Sequence, residues 1–153
     1  MMPFQQGLSL QNMLYNISYN DPSITEKINT AVGKPFSLKQ RLQLKGIGSP
    51  KLLITKTSLE IHNLLVLDQN TNHCNVELRP QGIIIRFRSL LETYGLIIPY
   101  YKLKVYKEKA KEITLFVDHY YIRILVATIS ENDFFKKMID EKVRNTPPNV
   151  EDL

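Results

Sequence analysis

The residues best placed to do chemistry are cations gathered in one stretch. Arg79, Arg86, Arg88, Lys102, Lys104, Lys107, Lys109 and Lys111 stand there against only Glu92 and Glu108. A surface of one sign concentrates anionic partners. Arg86, Arg88, Lys102, Lys104, Lys107, Lys109 and Lys111 are therefore the candidate anion-binding or partner-binding residues. The same pattern has an ordinary reading, because outward lysines on antiparallel strands keep a sheet soluble and its edge unpaired. Tyr94, Tyr100, Tyr101 and Tyr106 lie among these cations, and such rings stack bases on single-strand platforms. No ribonucleoprotein or helix-turn-helix motif accompanies them, so nucleic acid is not the expected partner.

Patterns that would carry catalysis are missing. The chain has no glycine-flanked serine, no phosphate loop and no His-Glu-x-x-His helix. Glu60 and His62 flank Ile61 and on a strand would share a face as an acid and base pair, a spacing common by chance. Cys74 is the only cysteine, which excludes an internal disulfide and a cysteine-based zinc site within one chain. Its neighbour His73 would point to the opposite face of a strand, a poor arrangement for a nucleophile and its base. Burial is the ordinary fate of a lone cysteine. His62, His73 and His119 are scattered and show no metal-ligand spacing. No catalytic, cofactor or metal residue is assigned, and the expectation is a protein that is not an enzyme.

Composition sets the frame for these residues. The 153 residues suit one domain, the hydrophobic fraction of 43% and charged fraction of 23% are those of a globular chain, and the net charge is +5. Met1 to Leu10 lack the basic start and apolar run of a secretory signal. No stretch approaches the ~20 apolar residues of a membrane span, and the cytoplasm is the expected location.

The elements divide at Gly46, Gly48 and Pro50. Before that border, Asp21-Pro22 reads as an N-cap followed by proline at the first helical position, with Ile24, Ile28, Ala31 and Val32 at helical spacing until Gly33. Ser37 with Gln40 three residues on resembles a capping box, and Leu38 and Leu42 would share a helical face before Gly46. Leu8 to Tyr19 shows neither period. After the border, Leu59 to Leu67 is an apolar run that predicts a strand entering the polar loop Asp68 to Asn72.

Val76 and Leu78 alternate with polar residues, Pro80-Gln81-Gly82 supplies a turn, and Ile83, Ile85 and Phe87 alternate with Arg86 and Arg88, which together predict a hairpin. Leu96 to Ile98 predicts a short strand closed by Pro99. Tyr101, Leu103 and Val105 alternate with Lys102, Lys104 and Tyr106 as a half-buried strand with a basic outer face. Ile113, Leu115 and Val117, a tight Asp118-His119 connection, and Ile122, Ile124 and Val126 predict a second hairpin. Ser130 and Asp133 suggest the start of a helix running from Glu131 to about Arg144. Phe134, Phe135, Met138, Ile139 and Val143 form its apolar stripe, and Pro147-Pro148 ends it. Tyr120-Tyr121 and Phe134-Phe135 read as core and rim aromatics.

Counted from Leu59, this is about seven short strands and then one amphipathic helix. That order resembles the pleckstrin-homology-like superfold, especially bacterial pleckstrin-homology and GRAM-type domains. So do the segments Glu77-Leu78-Arg79-Pro80-Gln81-Gly82-Ile83-Ile84-Ile85 and Leu96-Ile97-Ile98-Pro99-Tyr100-Tyr101-Lys102-Leu103. The resemblance covers roughly residues 59–144. It implies a pair of nearly orthogonal sheets, in a sandwich or partial barrel, plugged at one end by the C-terminal helix and used to bind proteins, peptides or lipids. The loop Asp68 to His73 contains no lysine or arginine, a departure from lipid-binding members, which carry basic residues there.

The expected fold is thus α+β and mostly antiparallel: an N-terminal helical extension packed on the core (1–50), a β domain with its closing helix (51–146) and a polar tail (147–153). The expected function is non-catalytic binding of a protein partner or of a second copy. Peripheral attachment to an anionic membrane through the basic strands is the first alternative, and a small-ligand carrier or enzyme using the barrel mouth is the second.

Overall fold

The computed structural model describes residues 13–68 and 72–145, apart from the side chain of Glu108. The Pro147-Pro148 stop, the polar tail, residues 1–12 and residues 69–71 lie outside the described residues. The strands are β1 (Leu14–Asn16), β2 (Leu52–Thr57), β3 (His73–Arg79), β4 (Gly82–Ser89), β5 (Glu92–Pro99), β6 (Lys104–Lys109), β7 (Glu112–Val117) and β8 (Tyr120–Leu125). The helices are α1 (Pro22–Val32), α2 (Leu38–Gln43), α3 (Leu59–Leu65) and α4 (Ile129–Asn145). The fold is α+β: one eight-stranded antiparallel sheet in the order β1-β5-β4-β3-β2-β8-β7-β6, followed by a C-terminal helix. The sheet is open, with β1 and β6 at its two edges.

Local chemistry makes the two hairpins. Pro80-Gln81 joins β3 to β4 with Arg79 opposite Gly82, and Asp118-His119 joins β7 to β8 with Val117 opposite Tyr120. Asp118 takes a positive φ of 52°, which a short polar side chain tolerates. Ile83, Ile85 and Phe87 enter the main core together with Leu78, Leu115 and Ile122. Ile84 and Ile97, on the opposite face of β4 and β5, are buried as well, beneath Ile28 and Val32 of α1. That double burial explains why this hairpin reads as a nearly continuous apolar run. Helix α1 starts as the sequence predicts, with the Asp21 carboxylate accepting the Ser23 amide at 2.9 Å. The Ser37 capping box forms, although Leu38 and Leu42 of α2 both face solvent.

Four expectations need correction. Leu59 to Leu67 is not a strand, since its first seven residues form α3. β2 ends where Ser58 exchanges bonds with Tyr121, donating its amide to the carbonyl at 3.0 Å and accepting the Tyr121 amide on its hydroxyl at 3.1 Å. The chain then turns into a helix whose Ile61 and Leu65, four residues apart, are buried while Leu59 is exposed. Six strands therefore follow Leu59, and β1 and β2 precede it.

Tyr101 to Leu103 is a turn, because the Pro99 carbonyl accepts the amides of Lys102 and Leu103, both at 3.0 Å. β6 accordingly begins at Lys104. Ser130 and Asp133 do not cap the last helix. Thr128 and Glu131 do, with the Glu131 amide on Thr128 Oγ1 at 3.1 Å and the Thr128 amide on Glu131 Oε1 at 3.1 Å. Finally, the apolar stripe of α4 is divided. Phe134, Phe135 and Met138 enter the core, each burial contributing about 2 kcal/mol, whereas Ile139 is 38% and Val143 69% exposed.

Candidate functional site: the two sides of the β6 edge

Among the described residues β6 is the last strand of the sheet and pairs with β7 alone, with Lys104 opposite Phe116, Val105 opposite Leu115 and Tyr106 opposite Thr114. Strand alternation therefore sends Lys104 and Tyr106 to the outer face and Val105 towards the core. On the outer face Tyr106 meets Phe116 edge-on at 5.3 Å, and Phe116 meets Tyr121 at 5.5 Å. Tyr101, Lys102, Lys104, Tyr106, Phe116 and Asp118 line an open depression of 660 Å³ there. A second depression, of 610 Å³, lies between β6 and α4, lined by Leu103, Lys104, Val105, Tyr106, Ile139, Lys142 and Val143. Lys104 and Tyr106 border both. The strand is a ridge with a hollow on each side.

The candidate cations do not form one group. Lys102 pairs with Asp118 at 3.4 Å and Lys109 with Glu112 at 3.8 Å. Among the described residues Lys104, Lys107 and Lys111 make no ion pair. Arg86 and Arg88 belong to β4, which four strands separate from β6. Arg86 is held by Glu77, which also accepts Arg79 Nε at 2.6 Å. Arg88 donates to the Leu90 carbonyl at 3.2 Å. Together with Lys51, His73 and Asn75, the two arginines edge a separate depression of 400 Å³. The four tyrosines divide in the same way. Tyr94 stacks on Phe87 and Tyr100 is buried, so only Tyr101 and Tyr106 are open to a partner beside β6.

The other reactive types are engaged elsewhere. Cys74 is buried, and desolvation pushes its thiol up to about 12. Glu60 and His62 lie on helix α3 rather than on a strand, which removes the shared strand face. Glu60 instead meets His119 Nε2 at 2.8 Å and accepts the Tyr120 hydroxyl at 3.3 Å, clasping α3 to the β7–β8 turn. Burial first, and then the Glu60 charge, push the Tyr120 hydroxyl up to about 12. Among the described residues no cluster of three or more His, Cys, Asp or Glu has metal-ligand geometry, and no helix is long and apolar enough to cross a membrane.

Sequence reasoning missed two parts of this site. The Tyr106, Phe116 and Tyr121 row needs the β6–β7–β8 register to assemble. Ile139 and Val143 continue the helical stripe in sequence, and nothing local separates them from its buried members. No family model, curated protein or solved structure matches this chain.

Proposed function

We propose that this chain is a non-catalytic binding module of pleckstrin-homology-like type that takes up an extended segment of a protein partner alongside β6. The seven strands β2 to β8 followed by α4 support the fold reading. The single observation that supports the binding mode is the pair of hollows flanking β6, whose outer edge pairs with no strand among the described residues. A strand added to a sheet edge gains affinity from main-chain hydrogen bonds and specificity from pockets for alternate side chains. Here, alternate side chains of an added strand would enter the Tyr106–Phe116 hollow and the Ile139–Val143 hollow. The irregularity between Lys107 and Lys109 confines regular pairing to the first part of β6. Buried Leu52, Ile83, Ile98 and Leu115 fill the interior, which favours surface binding over a ligand carrier.

The test is amide-resolved NMR of the full chain titrated with decapeptides selected on it from a random display library. Shifts concentrated at Lys104 to Lys107 and at Ile139 to Val143, lost in an Ile139→Asp/Val143→Asp variant, are expected. Shifts elsewhere, or peptides that bind the variant equally, would overturn the proposal.

A membrane reading has its own support at a different place from the basic strands. Leu91 is 88% exposed at the β4–β5 tip, and Leu90, with a positive φ of 57°, is 54% exposed. The tip is fastened beside exposed Val66 and Leu67, because the Leu90 amide binds Asp68 and the Ser89 hydroxyl binds the Leu64 carbonyl. Sedimentation with anionic and neutral vesicles separates the readings. Binding that Leu90→Ser/Leu91→Ser abolishes would favour the membrane.

A further inference from the structure

We infer that the segment received at β6 is acidic, and is not a second copy of this chain; the inference rests on the β6 reading above. Lys104 stands on the outer face at the border of both hollows and, among the described residues, has no ion-pair partner. Lys107, two residues beyond Val105, stands on the other face, is exposed and is likewise unpaired. Lys142 contributes a third cation to the α4 side, its ammonium resting on the Tyr100 carbonyl at 3.0 Å. Among the described residues, three acidic groups near this strand are already engaged: Asp118 by Lys102, Glu112 by Lys109 and by the Thr55 hydroxyl, and Glu141 by Arg144. An added strand would therefore pass Lys104 on one face and Lys107 on the other, neither of them ion-paired among the described residues.

This distribution discriminates between occupants. A second β6 would bring Lys104, Lys107 and Lys109 against the same lysines with only Glu108 in opposition, and like charges directly opposite one another destabilise strand pairing. An extended segment alternating carboxylates with apolar side chains sets its carboxylates against Lys104 on the outer face and its apolar side chains against the Val105, Ile139 and Val143 surface, while Lys107 and Lys142 add positive charge at the border of that surface. Electrostatic complementarity of this kind selects the partner more than it sets affinity.

The probes are two fluorescein-labelled decapeptides, one alternating glutamate with valine and one alternating lysine with valine, read by anisotropy with the full chain. The glutamate peptide is expected to bind about tenfold more tightly at about 50 mM salt, the difference shrinking at about 500 mM. Lys104→Glu/Lys107→Glu, at exposed positions that leave folding intact, is expected to reverse the order. Equal binding of both peptides, lost in Ile139→Asp/Val143→Asp, would overturn the acidic preference and leave the β6 reading standing. Glutamate-peptide binding undiminished in Ile139→Asp/Val143→Asp would overturn the β6 reading itself. Absence of binding, or a dimer in sedimentation velocity that Lys104→Glu/Lys107→Glu strengthens, would overturn the inference.

Discussion

Arg79 Nη1 donates to the Gly33 carbonyl at 2.8 Å, so the side chain that ends β3 also ties down the C-terminus of α1. The same nitrogen reaches Asn29 Oδ1 at 3.1 Å while Nε holds Glu77. One buried guanidinium thus satisfies a helix end and a carboxylate together, which is where the planar fork of arginine exceeds what an ammonium supplies. Arg79→Ala is expected to lower stability by roughly 2–3 kcal/mol, since it strips partners from groups out of water. Chemical denaturation measures the loss, and faster amide exchange through Asn29 to Val32 would locate it at α1.

Glu77 gives this cluster a defined pH dependence. Burial opposes its ionisation, but hydrogen bonds from Arg79 and Arg86 and their charges outweigh that cost and hold the carboxyl below its ordinary value of 4.5. A depressed folded value means the contribution is present above the ordinary range and is lost as pH falls through the folded value. Glu77→Gln is therefore expected to lower stability at neutral pH, and the gap from the parent protein should narrow as pH falls below 4.5. A gap that stays constant into acid would show that the pairing contributes nothing.

Close approach fixes Gly82. A Cβ there would press on the Ile98 carbonyl oxygen, on Val32 and, at 2.9 Å, on the Pro99 Cα. Backbone on one side and α1 on the other leave no route for relaxation. Gly82→Ala is expected to cost at least about 2 kcal/mol, in the range of overpacked cores, with a matching fall in melting temperature. Gly48→Ala, where nothing lies within 4 Å, is the neutral comparison.

The cap of α4 separates two sequence positions. Thr128→Ala removes the hydroxyl that receives the Glu131 amide and is expected to cost about 1 kcal/mol. Ser130→Ala should cost far less, because that hydroxyl receives no helix amide among the described bonds. Equal losses at the two positions would contradict the Thr128 cap.

Cys74 should be inert. Buried, with its thiol pushed up to about 12, it exposes no thiolate to a disulfide reagent near about pH 8. Titration of the native protein is expected to give no reaction until denaturant is added. Fast reaction of the folded chain would show that β3 opens readily.

The sequence by itself determined the elements whose signals are local. Pro80-Gln81-Gly82 and Asp118-His119 set turns between alternating strands, so both hairpins follow from turn chemistry and period, and the burial of Cys74 is the ordinary fate of a lone cysteine. Asp21-Pro22 and Ser37 with Gln40 set two helix starts in the same way. Leu59 to Leu67 was undecidable locally, because an apolar run fits either period. The helix was chosen by Ser58 bonding to Tyr121, a partner 63 residues away.

Tertiary structure alone decided which candidate residues are neighbours. Strand order put four strands between Arg86 and Lys104, and β6 became an edge because, among the described residues, no strand pairs on its outer side. The apolar stripe of α4 is wider than the surface it covers, so Phe134, Phe135 and Met138 met the core while Ile139 and Val143 were left beside the edge strand. Periodicity shows which residues share a face; only packing shows how much of that face finds a partner.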